Sequence, residues 1–544
     1  MVPSDSPPTP IMYKILVTDD VDPEGIALLA KEPLLDLDVV PTLPPVELLA
    51  RIENYHALIG RSATRVTAEL LERGKRLRVI GRAGVGVDNV DMEAATRLGI
   101  AVINAPAGNT IAVAELFFGN VLSLLRHLPH AIVSMRQGKW DRSQLTGEEL
   151  KGKTLGIIGL GRIGSEIARR AHAFGMTLAA YDPYITDDRF SMLQVRRAAS
   201  LEDLGDADIV TVHTPLTDET RGLVGRREIA AFRRGVIVVN MARGGIVDEE
   251  VLIAALESGQ VGGAVLDVYA SEPLAADSPL RRLPNTVLTP HLGASTAEGQ
   301  RNVAVDACAG VRDALLTGEL SKTLNVVGGV GTEWDELRPA LMLARRSAAI
   351  ARSLLHDQGA RTIQRISLRC GTDHAAASGL LLASAAAGVI EPTVDADRLN
   401  LINARTIAES RGIELTASVS AAVDPTSVSV SVSGGMKEIA VAGVAPRQGL
   451  PRIRRIGGFE IDVSPRQCLI IISNRDVPGV IGRVGTLLGD AGVNIAEYHQ
   501  SRLAQGGEAL AAIAVDGSAP NEVRDRLMSL PEVHSATIVT FRDG

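Results

Sequence analysis

The sequence predicts an α/β protein of several domains, built around a doubly wound parallel sheet and ending in a smaller ferredoxin-like module. Three observations predict this. Thr154-Leu155-Gly156-Ile157-Ile158-Gly159-Leu160-Gly161-Arg162-Ile163-Gly164 reads as a buried strand, a tight glycine turn and a helix start. Short Val/Ile-rich runs follow at Ile209–His213, Val236–Asn240, Gly263–Asp267 and Val287–Thr289. Runs of that kind, apolar on both faces, are parallel strands flanked by helices. Residues 465–544 read strand, loop, helix, turn, strand, which is the opening of a βαββαβ unit.

At 544 residues the chain is too long for one core. It carries 56 basic and 64 acidic residues, a net charge of -8, with no dense basic run. That balance argues against nucleic-acid and membrane-surface partners. Residues 1–11 are Pro- and Ser-rich and read as a disordered leader, without the basic and apolar regions of a signal peptide. The longest apolar run, near Gly379–Ile390, is Ala-rich and reads as too short to span a bilayer. Cys308, Cys370 and Cys468 are far apart and make no metal or redox spacing. A cytoplasmic protein without a metal site is the plain reading.

The elements follow in order. Lys14–Thr18 reads as a strand and Pro23–Lys31 as a helix. Ala57–Gly60, Val79–Gly81 and Ala101–Asn104 read as short buried strands of a first α/β domain. Ile111 to about Gly138 reads as one helical stretch leading into the glycine turn. A helix is expected from Ala297 to Gly318, then a Gly-rich hinge at 327–331. The region 332–464 mixes Ala-rich helices with alternating strands such as Val428–Ser433 and shows no catalytic motif.

The glycines give the turn its chemistry. Gly159 allows the chain to leave the strand, Gly161 lets a pyrophosphate approach the backbone, and Gly164 permits close helix–sheet packing. The amides of Arg162 and Ile163 open the helix, where an anion is favoured. The next strand, Thr177–Asp182, ends in an acid placed to bind the adenosine ribose. Asp182 would repel a 2′-phosphate and no basic residue immediately follows it, so NAD is expected over NADP.

Three strand ends beyond this turn carry reactive residues. Arg243, in Asn240-Met241-Ala242-Arg243-Gly244-Gly245, can fork onto a carboxylate. Glu272 lies in the loop after Asp267. His291, in Thr289-Pro290-His291-Leu292-Gly293-Ala294, can take and give a proton near neutral pH. A carboxylate such as Glu272 would orient the ring. Each residue alone has a bland explanation. Together, beside a dinucleotide fold, they suggest hydride transfer from a hydroxy acid, with His291 as base and Arg243 as carboxylate clamp.

These motifs resemble the D-2-hydroxyacid dehydrogenases. GLGRIG, NMARGGIVD, LDVYASEP and TPHLGAST carry the resemblance. GRAGVGVDNVD (Gly81–Asp91) and Asn104-Ala105-Pro106-Ala107-Gly108-Asn109-Thr110 resemble the D-3-phosphoglycerate dehydrogenases within that family, in their long form. The resemblance implies catalytic roles for Arg243, Glu272 and His291. It implies NAD contacts from Arg162, Ile163, Asp182, Thr214, Met241, Ala242, Arg243 and Asp267, with His291, Gly293 and Ala294 along the nicotinamide. It implies 3-phosphoglycerate as substrate, held by Arg61, Arg82, Asn109 and Arg142, the last reaching from a neighbouring subunit. A dehydrogenase for another 2-hydroxy acid and a catalytically silent NAD-binding scaffold are the alternatives.

The implied fold is a Rossmann sheet plus a flavodoxin-like substrate domain, an α+β intervening domain and a ferredoxin-like ACT domain. The implied division is 12–108 with 298–327 for substrate, 109–297 for NAD, 328–464 intervening and 465–544 regulatory. ACT-like modules sense amino acids, and the resemblance implies L-serine as effector at Asn474, Asp476 and Asn494. It also implies a homotetramer.

Overall fold

The computed structural model describes residues 12–326, 334–360, 362–394, 398–447 and 449–541. The expected leader at 1–11 and the glycine run at 327–331 lie outside them.

The chain builds four sheets. The first runs, in spatial order, Leu35–Val39, Tyr13–Val17, Ala57–Gly60, Val79–Arg82, Ala101–Asn104, all parallel. That order is the flavodoxin-like one. Its edge strand Leu35–Val39 escapes the sequence reading because Asp36 and Asp38 interrupt the apolar run. The long helix Ala297–Leu316 returns to this sheet: a Cβ on Gly81 would meet Val311 at 2.6 Å, and one on Gly25 would meet the Ala304 backbone at 2.8 Å.

The second sheet has seven parallel strands. Thr154–Ile158 sits beside Thr177–Tyr181 on one side and Ile209–Val212 on the other. Beyond the latter come Val236–Asn240, Val261–Leu266 and Thr286–Leu288. The strand order therefore reverses between Thr154–Ile158 and Ile209–Val212, where an open α/β sheet binds its ligand. The stretch expected as one helix is two, Thr110–Leu125 and Leu128–Arg136, bent by 66°. His127 breaks it by taking a left-handed backbone, with φ 53°.

The third sheet is mixed. Arg365–Cys370 pairs parallel with Glu414–Val419 and antiparallel with Ser427–Gly434, and three further antiparallel strands end at Phe459–Val463. The helices Trp334–Asp357 and Ser378–Ile390 pack together on it. The apolar stretch around Gly379–Ile390 extends, with its 3-10 ends, to a helix over Thr372–Thr393, long and apolar enough to cross a membrane. Its length exceeds the expectation, yet every residue from Leu380 to Ile390 is buried against protein.

The fourth sheet runs Ile495–Arg502, Glu508–Val515, Cys468–Arg475, Val533–Thr540, all antiparallel. With helices Val480–Asp490 and Asn521–Met528 it is a complete βαββαβ unit.

Candidate active site

The glycine turn lies at the strand-order reversal. Gly159 has φ 92°, and a Cβ there would meet the His213 carbonyl oxygen at 2.6 Å. Gly161 faces open space, with nothing within 4 Å of a Cβ. A Cβ on Gly164 would meet the Gly159 oxygen at 2.2 Å. Helix Arg162–Ala173 starts here without a side-chain cap, so its first amides are free for an anion. Asp182 closes the far side: Oδ2 accepts from Leu160 N at 2.9 Å and Oδ1 from Tyr184 N at 3.0 Å. Each oxygen keeps a lone pair for a hydroxyl.

Across the reversal stand His213 and Thr214. Thr214 Oγ1 and His213 Nδ1 are buried without a partner among the described residues. His213 Nε2 lies 2.8 Å from Thr211 Oγ1, and the ring packs edge-on to Phe117. Burial pushes the imidazole down to about 3, so it is neutral at ordinary pH. Buried polar atoms without partners, on residues that pack against Gly159 and two positions from the open space at Gly161, fit a dinucleotide. His213 is a residue that the sequence reading missed. Only its strand-end position signals it.

His291 follows the strand Thr286–Leu288 in a left-handed backbone, φ 53°. That conformation is costly for a bulky residue and persists only where neighbours enforce it. Asp267 does so. Its carbonyl accepts from His291 N at 2.9 Å, Oδ1 from Leu292 N at 2.7 Å and Thr289 Oγ1 at 2.6 Å, and Oδ2 from Gly293 N at 2.9 Å. The side chain of Asp267 is thus turned into the histidine loop, and the residue is 1% exposed. Oδ2 retains room for one further donor. Glu272 Oε2 lies 2.8 Å from His291 Nδ1, while Oε1 accepts from Tyr269 N at 3.1 Å. An ionised carboxylate only accepts, so Nδ1 carries the proton and Nε2 of the neutral ring is the free base. Burial first, then Asp267, lifts the Tyr269 phenol to about 12 and keeps it neutral.

Arg243 comes from the turn after Val236–Asn240. Asn240 shapes that turn through Nδ2 to Arg243 O at 2.9 Å and Oδ1 from Ala242 N at 3.1 Å. Met241 is buried beneath it. The guanidinium donates to Ala242 O at 2.7 Å and, through Nε, to Asp88 Oδ2 at 2.9 Å. Asp88 belongs to the loop after Val79–Arg82, so the pair spans the cleft between the first two sheets. On the same loop Asn89 Oδ1 accepts from Arg82 Nε at 3.2 Å. Burial, and then the charges of Arg61 and Arg243, push the Arg82 guanidinium down to about 10. The Arg61 side chain has no partner among the described residues.

The segment GRAGVGVDN alternates in a way the sequence reading did not use. A Cβ on Gly84 would sit 2.3 Å from Arg82 Nη1, and one on Gly86 only 1.8 Å from Arg243 Nη2. Two glycines make room for two arginines, and the next two polar residues hold them. Asn109 precedes helix Thr110–Leu125 with a buried Oδ1 that has no partner among the described residues. Arg142 stands apart. It lies exposed on the 3-10 turn Arg142–Gln144, and its side chain contacts none of these residues.

The expected effector residues are also spread out. Asn474 is fully buried and its Oδ1 lacks a partner among the described residues. Asp476 is already paired with Arg502 at 2.8 Å, and that bond holds its carboxyl below the usual range. Asn494 donates to Asp516 at 2.6 Å. No bond joins Asn494 to the other two: Asp476 is held by Arg502 at the end of the strand Ile495–Arg502, and Asn494 by Asp516 just after Glu508–Val515.

Comparison with known proteins fits this geometry. The family described as D-isomer specific 2-hydroxyacid dehydrogenase, NAD binding domain, matches residues 118–293, and the ACT domain matches 469–532. A D-3-phosphoglycerate dehydrogenase of Synechocystis is 38% identical, over 98% of this chain and 97% of its own. The Bacillus subtilis enzyme of that name is 38% identical, over 97% of this chain and 99% of its own. The crystal structure of Aquifex aeolicus D-lactate dehydrogenase, complexed with NAD and lactic acid, has a TM-score of 0.51 at 26% identity, covering 59% of this chain and all of the other. The glycine turn, the His–Glu pair and the full-length relatives place the chain in one family: it belongs to the D-3-phosphoglycerate dehydrogenases, NAD-dependent oxidoreductases of the 2-hydroxyacid class with a C-terminal ACT domain.

Proposed function

We propose that this chain oxidises 3-phospho-D-glycerate to 3-phosphooxypyruvate, the opening step of L-serine biosynthesis. The observation that carries the reading is that Arg61 and Arg243 both lie near enough to Arg82 to act on its charge, while Arg243, Glu272 and His291 follow three neighbouring strands and the last two are hydrogen-bonded. A substrate with a carboxylate at one end and a phosphate at the other needs cations beyond a single clamp. Arg61 and Arg82 take the phosphate, assisted by Asn109, and Arg243 takes the carboxylate. His291 Nε2 removes the proton of the C2 hydroxyl. Glu272, bonded to Nδ1, stabilises the imidazolium that forms. Arg243 polarises the developing carbonyl. Bound NAD supplies the acceptor for the C2 hydride. Gly159, Gly161, Arg162, Ile163, Gly164, Asp182, Thr214, Met241, Ala242, Asp267, Gly293 and Ala294 line its path.

The division into 12–108 with 298–327, 109–297, 328–464 and 465–544 belongs to the same reading. So do a cytoplasmic location, a homotetramer and feedback by L-serine at Asn474, Asp476 and Asn494. Arg142 lies near exposed Ile132, Val133, Met135 and Trp140 in sequence, an apolar stretch suited to a second copy that would carry Arg142 to the neighbour's cleft. Effector and active site lie on different sheets, so feedback requires two conformations that serine binds unequally.

NADH formation on 3-phosphoglycerate, with and without L-serine and with D-lactate as control, tests the reading. Turnover confined to the phosphorylated acid and suppressed by serine supports the substrate, cofactor and effector assignments together. Turnover without suppression removes the effector assignment. NAD binding without turnover removes the substrate.

A further inference from the structure

At the C-terminal end of the first strand, Asp19 and Asp20 both adopt left-handed backbones, φ 65° and 49°. Asp19 is 5% exposed, yet no cation among the described residues forms an ion pair with it. Its carboxylate is spent on the neighbouring loop: Oδ2 accepts from Arg61 N at 2.8 Å and Thr64 N at 2.9 Å, and Oδ1 from Thr64 Oγ1 at 2.8 Å. Thr18 Oγ1 adds a contact with Thr64 Oγ1 at 2.9 Å. The fit is tight, since a Cβ on Gly60 would meet Thr18 Oγ1 at 2.8 Å and Asp19 Oδ2 at 3.4 Å. Asn89 grips the same loop from the other side. Its Nδ2 donates to the Arg61 carbonyl at 3.0 Å and the Thr64 carbonyl at 2.6 Å, while its Oδ1 holds Arg82 Nε.

We propose that Asp19 and Asn89 are positioning residues that lock the loops of Arg61 and Arg82 into one receptor for a dianionic group. The inference rests on the substrate reading above and extends it to residues that touch no substrate. The physical need is clear. Two guanidinium groups repel each other in a half-buried site, so their main chain must be held from behind. Asp19 does this with a buried charge that takes backbone N–H donors, the stronger kind of hydrogen bond. Asn89 then ties the two arginines to each other. Binding loses affinity when such groups must be ordered as the ligand arrives.

The test compares reduction of 3-phosphooxypyruvate with that of hydroxypyruvate, its phosphate-free analogue, using the full-length chain. Asp19→Asn removes the charge and one acceptor but keeps the left-handed preference, which Asn shares. We expect KM for the phosphorylated acid to rise about tenfold, the loss of one bond to a charged group, with kcat held within about twofold. Hydroxypyruvate kcat/KM stays unchanged, and calorimetric affinity for inorganic phosphate falls by the same factor. Asn89→Ala gives the same selective loss and decides the matter if Asp19→Asn does not fold. Equal losses on both substrates, or an unchanged KM in both variants, overturn the proposal. Should the wild type not prefer the phosphorylated acid, the substrate reading fails. Weaker phosphate binding in the variants then still upholds the positioning role, and unchanged binding overturns it too.

Discussion

Arg243 and Asp88 meet across the cleft, with Nε of the arginine 2.9 Å from Oδ2 of the aspartate. One follows a strand of the second sheet and the other a strand of the first. The pair fixes the plane of the guanidinium. Asp88 is 64% exposed at its side chain, so the bond is weak in itself, on the order of 0–1 kcal/mol. A substrate carboxylate can share the guanidinium without first breaking a strong contact.

Gly86 makes that placement possible. Alanine there would put a Cβ 1.8 Å from Arg243 Nη2, and the flexible end of the arginine would move, not the backbone. Gly86→Ala is expected to keep its melting temperature and lose about a hundredfold in kcat/KM, the scale for losing one charge-stabilising donor. Steady-state kinetics beside a thermal melt decides. Full activity would mean that the working guanidinium lies elsewhere.

Asp267 holds the histidine loop, and Asp267→Asn tests that. The amide would turn an N–H toward one of the donors now served, leaving it unsatisfied and costing about 1–3 kcal/mol of stability. We expect a lower melting temperature and a kcat down by about a hundredfold, because His291 loses its left-handed anchor. Retained kcat with only a raised KM for NAD would assign Asp267 to the cofactor alone.

Much of this was legible in the sequence, and the reasons are local. The glycine turn reads directly because each glycine answers a backbone need that side chains cannot meet, as at Gly159. The strands Ala57–Gly60, Ala101–Asn104 and Val236–Asn240 stand where the apolar runs end. Arg243, Glu272 and His291 read from strand-end position. What stayed hidden depends on contacts between distant segments. Asp19 looks like any acid after a strand until Arg61 and Thr64 fold onto it, 42 and 45 positions away. Asp88 and Asn89 look like turn residues until two arginines arrive. The break in the long apolar helix is, by contrast, signalled by Pro129, which cannot donate to the Leu125 carbonyl and sits in the first turn of the second helix.

The pH–rate profile separates two histidines. Burial depresses His213 to about 3 from its usual 6.5. Between those values the unfolded chain binds a proton that the folded chain does not. Stability from this group is therefore full above 6.5 and declines as pH falls toward 3. It cannot shape the acid limb of kcat/KM near neutrality. His213→Asn should leave that limb in place, whereas His291→Asn should remove most of the turnover. A limb that moves in the first variant would reassign the base.

Glu497 joins the third and fourth sheets. Arg452 Nη2 donates to it at 2.8 Å and Ser464 N at 3.2 Å, with Arg466 at 3.8 Å, while Arg452 also pairs with Asp462. Burial alone would raise the Glu497 carboxyl. The hydrogen bonds from Ser464 and Arg452 outweigh that and hold it below its ordinary 4.5. A depressed carboxylate stabilises the fold above its unfolded value and loses that effect as pH falls below it. Calorimetry should therefore show the C-terminal module separating as a lower transition once pH drops below 4.5. Glu497→Ala should produce the same split at neutral pH, at a cost of about 1 kcal/mol, since it leaves two arginines facing each other without their shared anion. Because Glu497 lies far from the glycine turn in the fold, kcat at saturating substrate should hold. A single unsplit transition in the variant would mean that the apolar contacts of Leu469, Ile471 and Phe541 with the third sheet hold the module unaided.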